Sequence, residues 1–148
     1  MTLEERITAD MKTAMKAKDK VSLRGIRAVK SAIMLQKTDG SGTTLNEAGE
    51  ISLLQKLVKS RQDSLDIYTK QNREDLAVIE REEIEVISKY LPEQLSEKDL
   101  ATMVEGIIAK TGASSMKDMG RVMGMANKEA AGRADGKTIS AMVKAKLA

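Results

Sequence analysis

The sequence contains no cysteine and no histidine. Without thiol or imidazole, Ser-His and Cys-His nucleophile pairs are excluded. Zinc sites built on either ligand and disulfide staples are excluded with them. Phenylalanine and tryptophan are also missing, and Tyr68 and Tyr90 are the only aromatic residues. The core must therefore be Leu, Ile, Val, Ala and some of the ten methionines. Aliphatic and Met side chains lose little rotamer freedom in helices, whereas sheets favour aromatic and β-branched residues. An all-α fold is expected. No stretch approaches the roughly 18 apolar residues that span a bilayer. The start, Met1-Thr2-Leu3-Glu4-Glu5-Arg6, lacks the apolar run of a signal peptide. A cytoplasmic protein with no membrane association is the expectation. There is no phosphate-binding glycine loop of the Gly-x-x-x-x-Gly-Lys-Thr type, and nothing calls for a cofactor or a metal.

What is present is helical periodicity. A first helix is expected over residues 2–17, capped by Thr2 with Glu5 at capping-box spacing. Leu3, Ile7, Met11 and Met15 (or Ala14) form its stripe. A second, over 20–37, buries Leu23, Ile26, Val29 and Ile33, and the turn formers Thr38 to Thr44 follow as a loop. A long third helix, 46–70, uses Ile51, Leu54, Leu57, Val58, Leu65 and Tyr68. Arg61 interrupts that stripe, so the stripe weakens there or the arginine stem lies along it. A fourth, 73–91, uses Leu76, Ile79, Ile84, Ile87 and Leu91 and must stop near Pro92, the only proline.

Pro92 to Ser96 reads as a boundary between an N-terminal four-helix domain, 1–92, and a small three-helix tail domain, 96–148. Three tail helices are expected, over 97–110, 115–129 and 137–147. Leu100, Met103, Val104, Ile107 and Ile108 point inward in the first. Met116, Met119, Val122, Met123 and Ala126 do so in the second, and Ile139, Met142, Val143 and Leu147 in the third. Ser96 caps the first and Gly112 closes it in a left-handed turn. Gly120 and Gly124 each cost about 1 kcal/mol relative to Ala. Close helix–helix contact is the expected reason for them.

Charge is unevenly spread. Residues 1–95 balance at 16 Lys/Arg against 16 Asp/Glu, while residues 96–148 hold nine against six. Residues 1–37 are locally basic, and residues 74–93 carry seven acids. Such blocks steer polyanions or are simply solvated helix faces. Glu80, Glu82, Glu83 and Glu85 could ligate a hard cation or serve in acid–base work, but they radiate around their helix, and a solvated face is expected. In the tail, Lys117, Arg121 and Lys128 fall at separations of four and seven, on one side of a helix. Arg133 and Lys137 adjoin them. These five are the candidate RNA-contacting residues. Base-stacking aromatics are missing, so contacts to phosphates and to the shape of a folded RNA are what the patch could make.

Three segments are recognisable in order and spacing. They are Tyr90-Leu91-Pro92-Glu93-Gln94-Leu95-Ser96, the run from Gly112-Ala113-Ser114-Ser115 through Lys117-Asp118-Met119-Gly120 to Val122-Met123-Gly124, and Gly132-Arg133-Ala134-Asp135-Gly136-Lys137. With them the chain resembles the YqeY family, which is similar to the C-terminal helical and tail region of the GatB subunit of the tRNA-dependent amidotransferase. That resemblance implies a two-part helical fold and a tail that helps hold tRNA. It also implies that the carbon–nitrogen ligase chemistry, with glutamine as amide donor, resides in parts of the amidotransferase that this chain lacks. The chain departs from the pattern at Met125 to Ala131, where a proline and a more basic stretch are expected. The resulting expectation is a non-catalytic tRNA-binding protein, free-standing or accessory to an amidotransferase or another translation-related protein. The alternative is a helical protein–protein interaction module, docking through its Met-lined or acidic faces. An enzyme using carboxylates alone is a third reading. The sequence does not specify an oligomeric state.

Overall fold

The computed structural model describes residues 1–39 and 45–148. The loop expected at Thr38 to Thr44 falls mostly on residues 40–44, outside the described residues. Among the described residues there are seven α-helices and no strand: α1 (Leu3–Ala17), α2 (Lys20–Lys37), α3 (Glu47–Lys70), α4 (Glu74–Ser88), α5 (Glu97–Thr111), α6 (Met119–Ala130) and α7 (Gly136–Leu147). A 3-10 turn, Met116–Asp118, precedes α6. No helix among the described residues is long and apolar enough to cross a membrane. The chain forms two compact units, Met1–Leu91 and Pro92–Ala148.

Side-chain caps set most helix starts. The first-turn amides of a helix have no partner within it, and a polar side chain just outside supplies one. Thr2 accepts from the Glu5 amide, Asp19 from Ser22 and Asn46 from Gly49. Ser96 accepts from Asp99, and Asp135 from Thr138. α1 ends on Lys18 and α5 on Gly112, both in the left-handed region. α4 ends at Ser88, three residues before the expected Leu91. The amides of Lys89, Tyr90 and Leu91 bond back three residues rather than four. The chain tightens into a 3-10-like turn as it nears Pro92, which disfavours α geometry in the residue before it.

In the first unit α1 packs on α2, α2 on α4, and α3 on α4. The core is Leu3, Ile7 and Ala14 of α1, Ile26, Val29 and Ile33 of α2, Leu53 and Leu54 of α3, and Val86, Ile87 and Tyr90. Ala14, the smaller alternative, takes the inward position, and Met15 is exposed. Ile79 is exposed where burial was expected, and Ala77 and Val86 are buried instead. The buried side of α4 is thus rotated towards α2. Gly25 explains why. A Cβ built there would lie 2.6 Å from Val86 Cγ1, so the glycine lets α2 and α4 approach closely. Polar ties fix the register. The Leu3 amide donates to Glu50 Oε2 at 2.6 Å, and Lys37 Nζ lies 2.5 Å from Glu4 Oε2 across the α1–α2 pair. The Tyr90 hydroxyl donates to Asp10 Oδ2 at 2.5 Å, and the Arg6 guanidinium sits 5.1 Å from the centre of the Tyr90 ring. Burial, then the Asp10 carboxylate, push the Tyr90 hydroxyl above its usual range.

The second unit has its own core. It comprises Leu100, Val104 and Ile107 of α5, Val122, Ala126 and Ala130 of α6, Ile139, Val143 and Leu147 of α7, and the loop residues Ala113 and Ala134. Met119 and Met123 pack against it, whereas Met116 is exposed. Residues 116–118 form a 3-10 turn instead of the first turn of α6. Its three-residue repeat breaks the helical phase that would have turned Met116 inward. Residues 93–95 run as a strap over the α6–α7 loop. The Leu95 amide donates to the Arg133 carbonyl at 2.7 Å, and Gln94 Nε2 donates to the Gly132 carbonyl at 3.1 Å.

Two stability changes are expected. Gly25→Ala drives a methyl into Val86 and should destabilise the chain by about 1–3 kcal/mol, the range for overpacking. Tyr90→Phe removes the bond to the exposed Asp10 carboxylate, which water then solvates, and should cost about 0.5–1.5 kcal/mol, the range for a typical hydrogen bond. Urea unfolding followed by far-UV circular dichroism measures both.

Candidate nucleic-acid interface

The amphipathic character of α6 decides which side chains are available. Val122, Ala126 and Ala130 face the core. Arg121 and Lys128, two helical turns apart, therefore lie on the solvent side. Lys117 is exposed in the 3-10 turn that leads into α6. Arg133 lies in the α6–α7 loop and Lys137 in the first turn of α7, and both are exposed.

The five candidate residues are not equivalent. Arg121 Nη2 is 3.3 Å from Asp118 Oδ1 and 3.4 Å from the Thr111 carbonyl. Asp118 also accepts from the Ser114 amide at 3.0 Å. That amide first, then the Ser115 amide and the Arg121 charge, hold its carboxyl below the usual carboxylate range. Arg121 thus helps lock the turn before α6. Arg133 Nε donates to the Glu93 carbonyl at 3.3 Å and so belongs to the strap. No ion pair involves Lys117, Lys128 or Lys137 among the described residues. The freely available charge of the candidate set is these three ammonium groups.

Gly120 and Gly124 are exposed, and nothing lies within 4 Å of a Cβ built on either. The close helix–helix contact expected from the sequence is absent within this unit. Both fall on the open side of α6, away from Val122 and Ala126.

The acidic block of α4 also differs from a uniformly solvated face. Glu83 is 14% exposed and sits between two arginines, 3.3 Å from Arg24 Nε and 3.1 Å from Arg61 Nε. Glu82 pairs with Arg24 Nη2 at 3.1 Å. Arg61, 18% exposed, also donates to the Leu57 carbonyl at 3.1 Å. Its stem follows the apolar stripe of α3 while its head reaches α4. Burial, then the Glu83 charge, raise the Glu80 carboxyl above its usual value. Only Glu85 of the four is fully exposed. The close approach of α2 and α4 brings arginines to this side, which periodicity within α4 alone does not reveal. The cluster binds helices to one another.

The sequence profile described as Yqey-like protein matches residues 4–147. The chain belongs to the YqeY family. That family's domain is like the C-terminal region of GatB. Curated relatives include Altered inheritance of mitochondria protein 41, mitochondrial, of Vanderwaltozyma polyspora, 35% identical over 116 residues, covering 74% of this chain and 63% of that protein. The protein of the same name from Lachancea thermotolerans is 40% identical over 82 residues, covering 55% of this chain and 44% of its own length. That from Pyrenophora tritici-repentis is 30% identical over 131 residues, covering 87% and 71%. The chain thus spans 63% and 44% of the length of the first two. These relatives are mitochondrial proteins, which overturns the cytoplasmic placement expected for this YqeY chain. Lack of cysteine and of a long apolar run restricts redox chemistry and membrane crossing, and does not choose between compartments.

Because Gly120 and Gly124 have open space and helical backbone, Gly120→Ala and Gly124→Ala should each stabilise the YqeY chain by about 0.5–1 kcal/mol. A rise in thermal midpoint checks this. A fall would mean that an unseen neighbour occupies that space.

Proposed function

We propose that this chain is a non-catalytic RNA-binding protein that grips folded RNA, tRNA foremost, through phosphate contacts, with the Pro92–Ala148 unit as its tail domain. It would act as an accessory to a translation-related enzyme of the amidotransferase kind. The observation that carries the reading is the trio of exposed ammonium groups at Lys117, Lys128 and Lys137, none tied to a carboxylate among the described residues. Arg121 and Arg133 are exposed cations of the same unit that also brace its loops. Kinship of the YqeY domain with the C-terminal region of GatB supports tRNA as the class of RNA. A lysine is a compact point charge suited to phosphate without base readout. Both tyrosines lie in the Met1–Leu91 unit, so the tail has no aromatic platform for single-stranded bases. The reading therefore calls for binding governed by shape and charge.

Binding to transcribed tRNA across a salt series tests this. Each phosphate contact adds about 0.9 to the slope of log affinity against log salt in duplex nucleic acid. The combined change Lys117→Gln, Lys128→Gln and Lys137→Gln should reduce that slope by about 2–3. No binding by the parent chain at low salt, or an unchanged slope in the variant, would remove the proposal.

A further inference from the structure

We propose that the outer face of the α1–α2 hairpin is a second surface for the phosphate backbone of folded RNA, separate from that of the tail. It rests on the RNA reading above only for the class of partner.

The two helices are antiparallel, joined through Lys18 and Asp19 and bridged at their far ends by Lys37 and Glu4. Their inward sides are fixed by Leu3, Ile7 and Ala14 and by Ile26, Val29 and Ile33. Lys12 and Lys16, one turn apart, fall on the opposite side of α1 from that stripe. Lys20 and Arg27, seven residues apart, share a side of α2, with Lys30 one turn further on. Lys18 caps the turn. All six are exposed, and none enters an ion pair among the described residues.

Three of the four acids of the same segment have partners, and only Glu4 has a cation as its partner. Glu4 pairs with Lys37, Asp10 accepts from Tyr90, and Asp19 caps α2 through the Ser22 amide and hydroxyl. Glu5 lies in the first turn of α1, away from the joined end, while Asp10 and Asp19 keep their charge. Facing the hairpin turn from the end of α4 is another cation, Lys89, whose charge helps lower the Asp19 carboxyl after the Ser22 bonds. Of the other two bases of this segment, Arg6 lies over Tyr90 and Arg24 is drawn to Glu82 and Glu83. Six exposed cations outnumber Glu5, Asp10 and Asp19, the three exposed carboxylates of the segment that form no ion pair, and Lys89 adds to the excess. The balanced charge of residues 1–95 hides it.

The residues between these cations decide the partner. Ala9, Thr13 and Ser31 are exposed there, with the exposed Met15 and Met34 beside them. An interfacial helix needs a continuous free apolar stripe to enter a bilayer, and here the stripe of each helix is in the core, with Met15, Val21, Met34 and Leu35 exposed outside it. Tyr90, the nearest aromatic, is buried, so bases have nothing to stack on. A polyanion read by charge and shape fits this surface, and folded RNA is that polyanion.

The test uses the full chain with Lys12→Gln, Lys16→Gln, Arg27→Gln and Lys30→Gln, and transcribed tRNA as probe. The expected result is an affinity lower by about tenfold or more at low salt and a salt slope smaller by about 3–4. Far-UV circular dichroism confirms folding, and the pair Lys12→Gln and Lys16→Gln serves if the fourfold variant does not fold. Parent-like affinity and slope in the hairpin variant, with loss in the tail variant, overturns the inference and leaves the proposed function standing. Loss in the hairpin variant with a parent-like tail variant supports the inference and removes the tail site. If the parent chain binds no tRNA, both fall. Hairpin-dependent capture of phosphatidylserine vesicles, without any effect on tRNA, also overturns it.

Discussion

The close approach of α2 to α4, set by Gly25 against Val86, is the constraint on which the first unit depends. A core without phenylalanine or tryptophan has short side chains to fill it, so helix backbones must come near one another. Ala77, Ala126 and Ala130 are buried for the same reason, in both units. Bringing α2 onto α4 puts Arg24 beside Glu82 and Glu83, and Arg61 reaches Glu83 from α3. The acidic helix is thereby largely neutralised from within. The lysines on the far side of the hairpin are left without an ion-pair partner among the described residues. Packing of an aliphatic core thus decides where free positive charge appears on the surface.

Much of the fold was legible in the sequence, because its punctuation is local. Thr2, Ser96 and Gly112 perform the capping roles that their residue types suggest. Helix limits agree with expectation to within one residue except at the end of α4 and the start of α6. Both exceptions are 3-10 turns, which hydrophobic periodicity does not register. Which apolar residue is buried was less legible. Ile79 and Ala77 could each have pointed inward, and contact with α2 and α3 decides between them. The interface was legible as residue types and illegible as availability. Arg121 and Arg133 look like free cations in a string of letters, yet the structure engages one with Asp118 and the other with the Glu93 carbonyl. Counting charge by segment pointed to the tail, because the sequence does not show that the acids of α4 have arginine partners.

The segments that make the YqeY family recognisable also have an evident structural meaning. Ser96, Gly112, Ser115, Asp118 and Asp135 cap or close helices. Ala131 and Gly132 take left-handed backbone at the end of α6. The strap over Gly132 and Arg133 holds that loop against the residues after Pro92. These strings specify how three short helices are joined. Of the tail cations that would touch RNA, Lys117, Arg121, Arg133 and Lys137 stand within these strings and Lys128 between them.

The placement of the two tyrosines has a practical consequence. Tyr68 and Tyr90 both belong to the Met1–Leu91 unit, and Pro92–Ala148 has no aromatic side chain. Intrinsic emission and near-ultraviolet absorbance therefore report on the first unit alone, with Tyr90 buried beneath Arg6 as its sensitive reporter. Melting of the second unit is optically silent at those wavelengths and registers only in backbone signals. Comparing the two kinds of trace on one sample separates the stabilities of the units without cutting the chain.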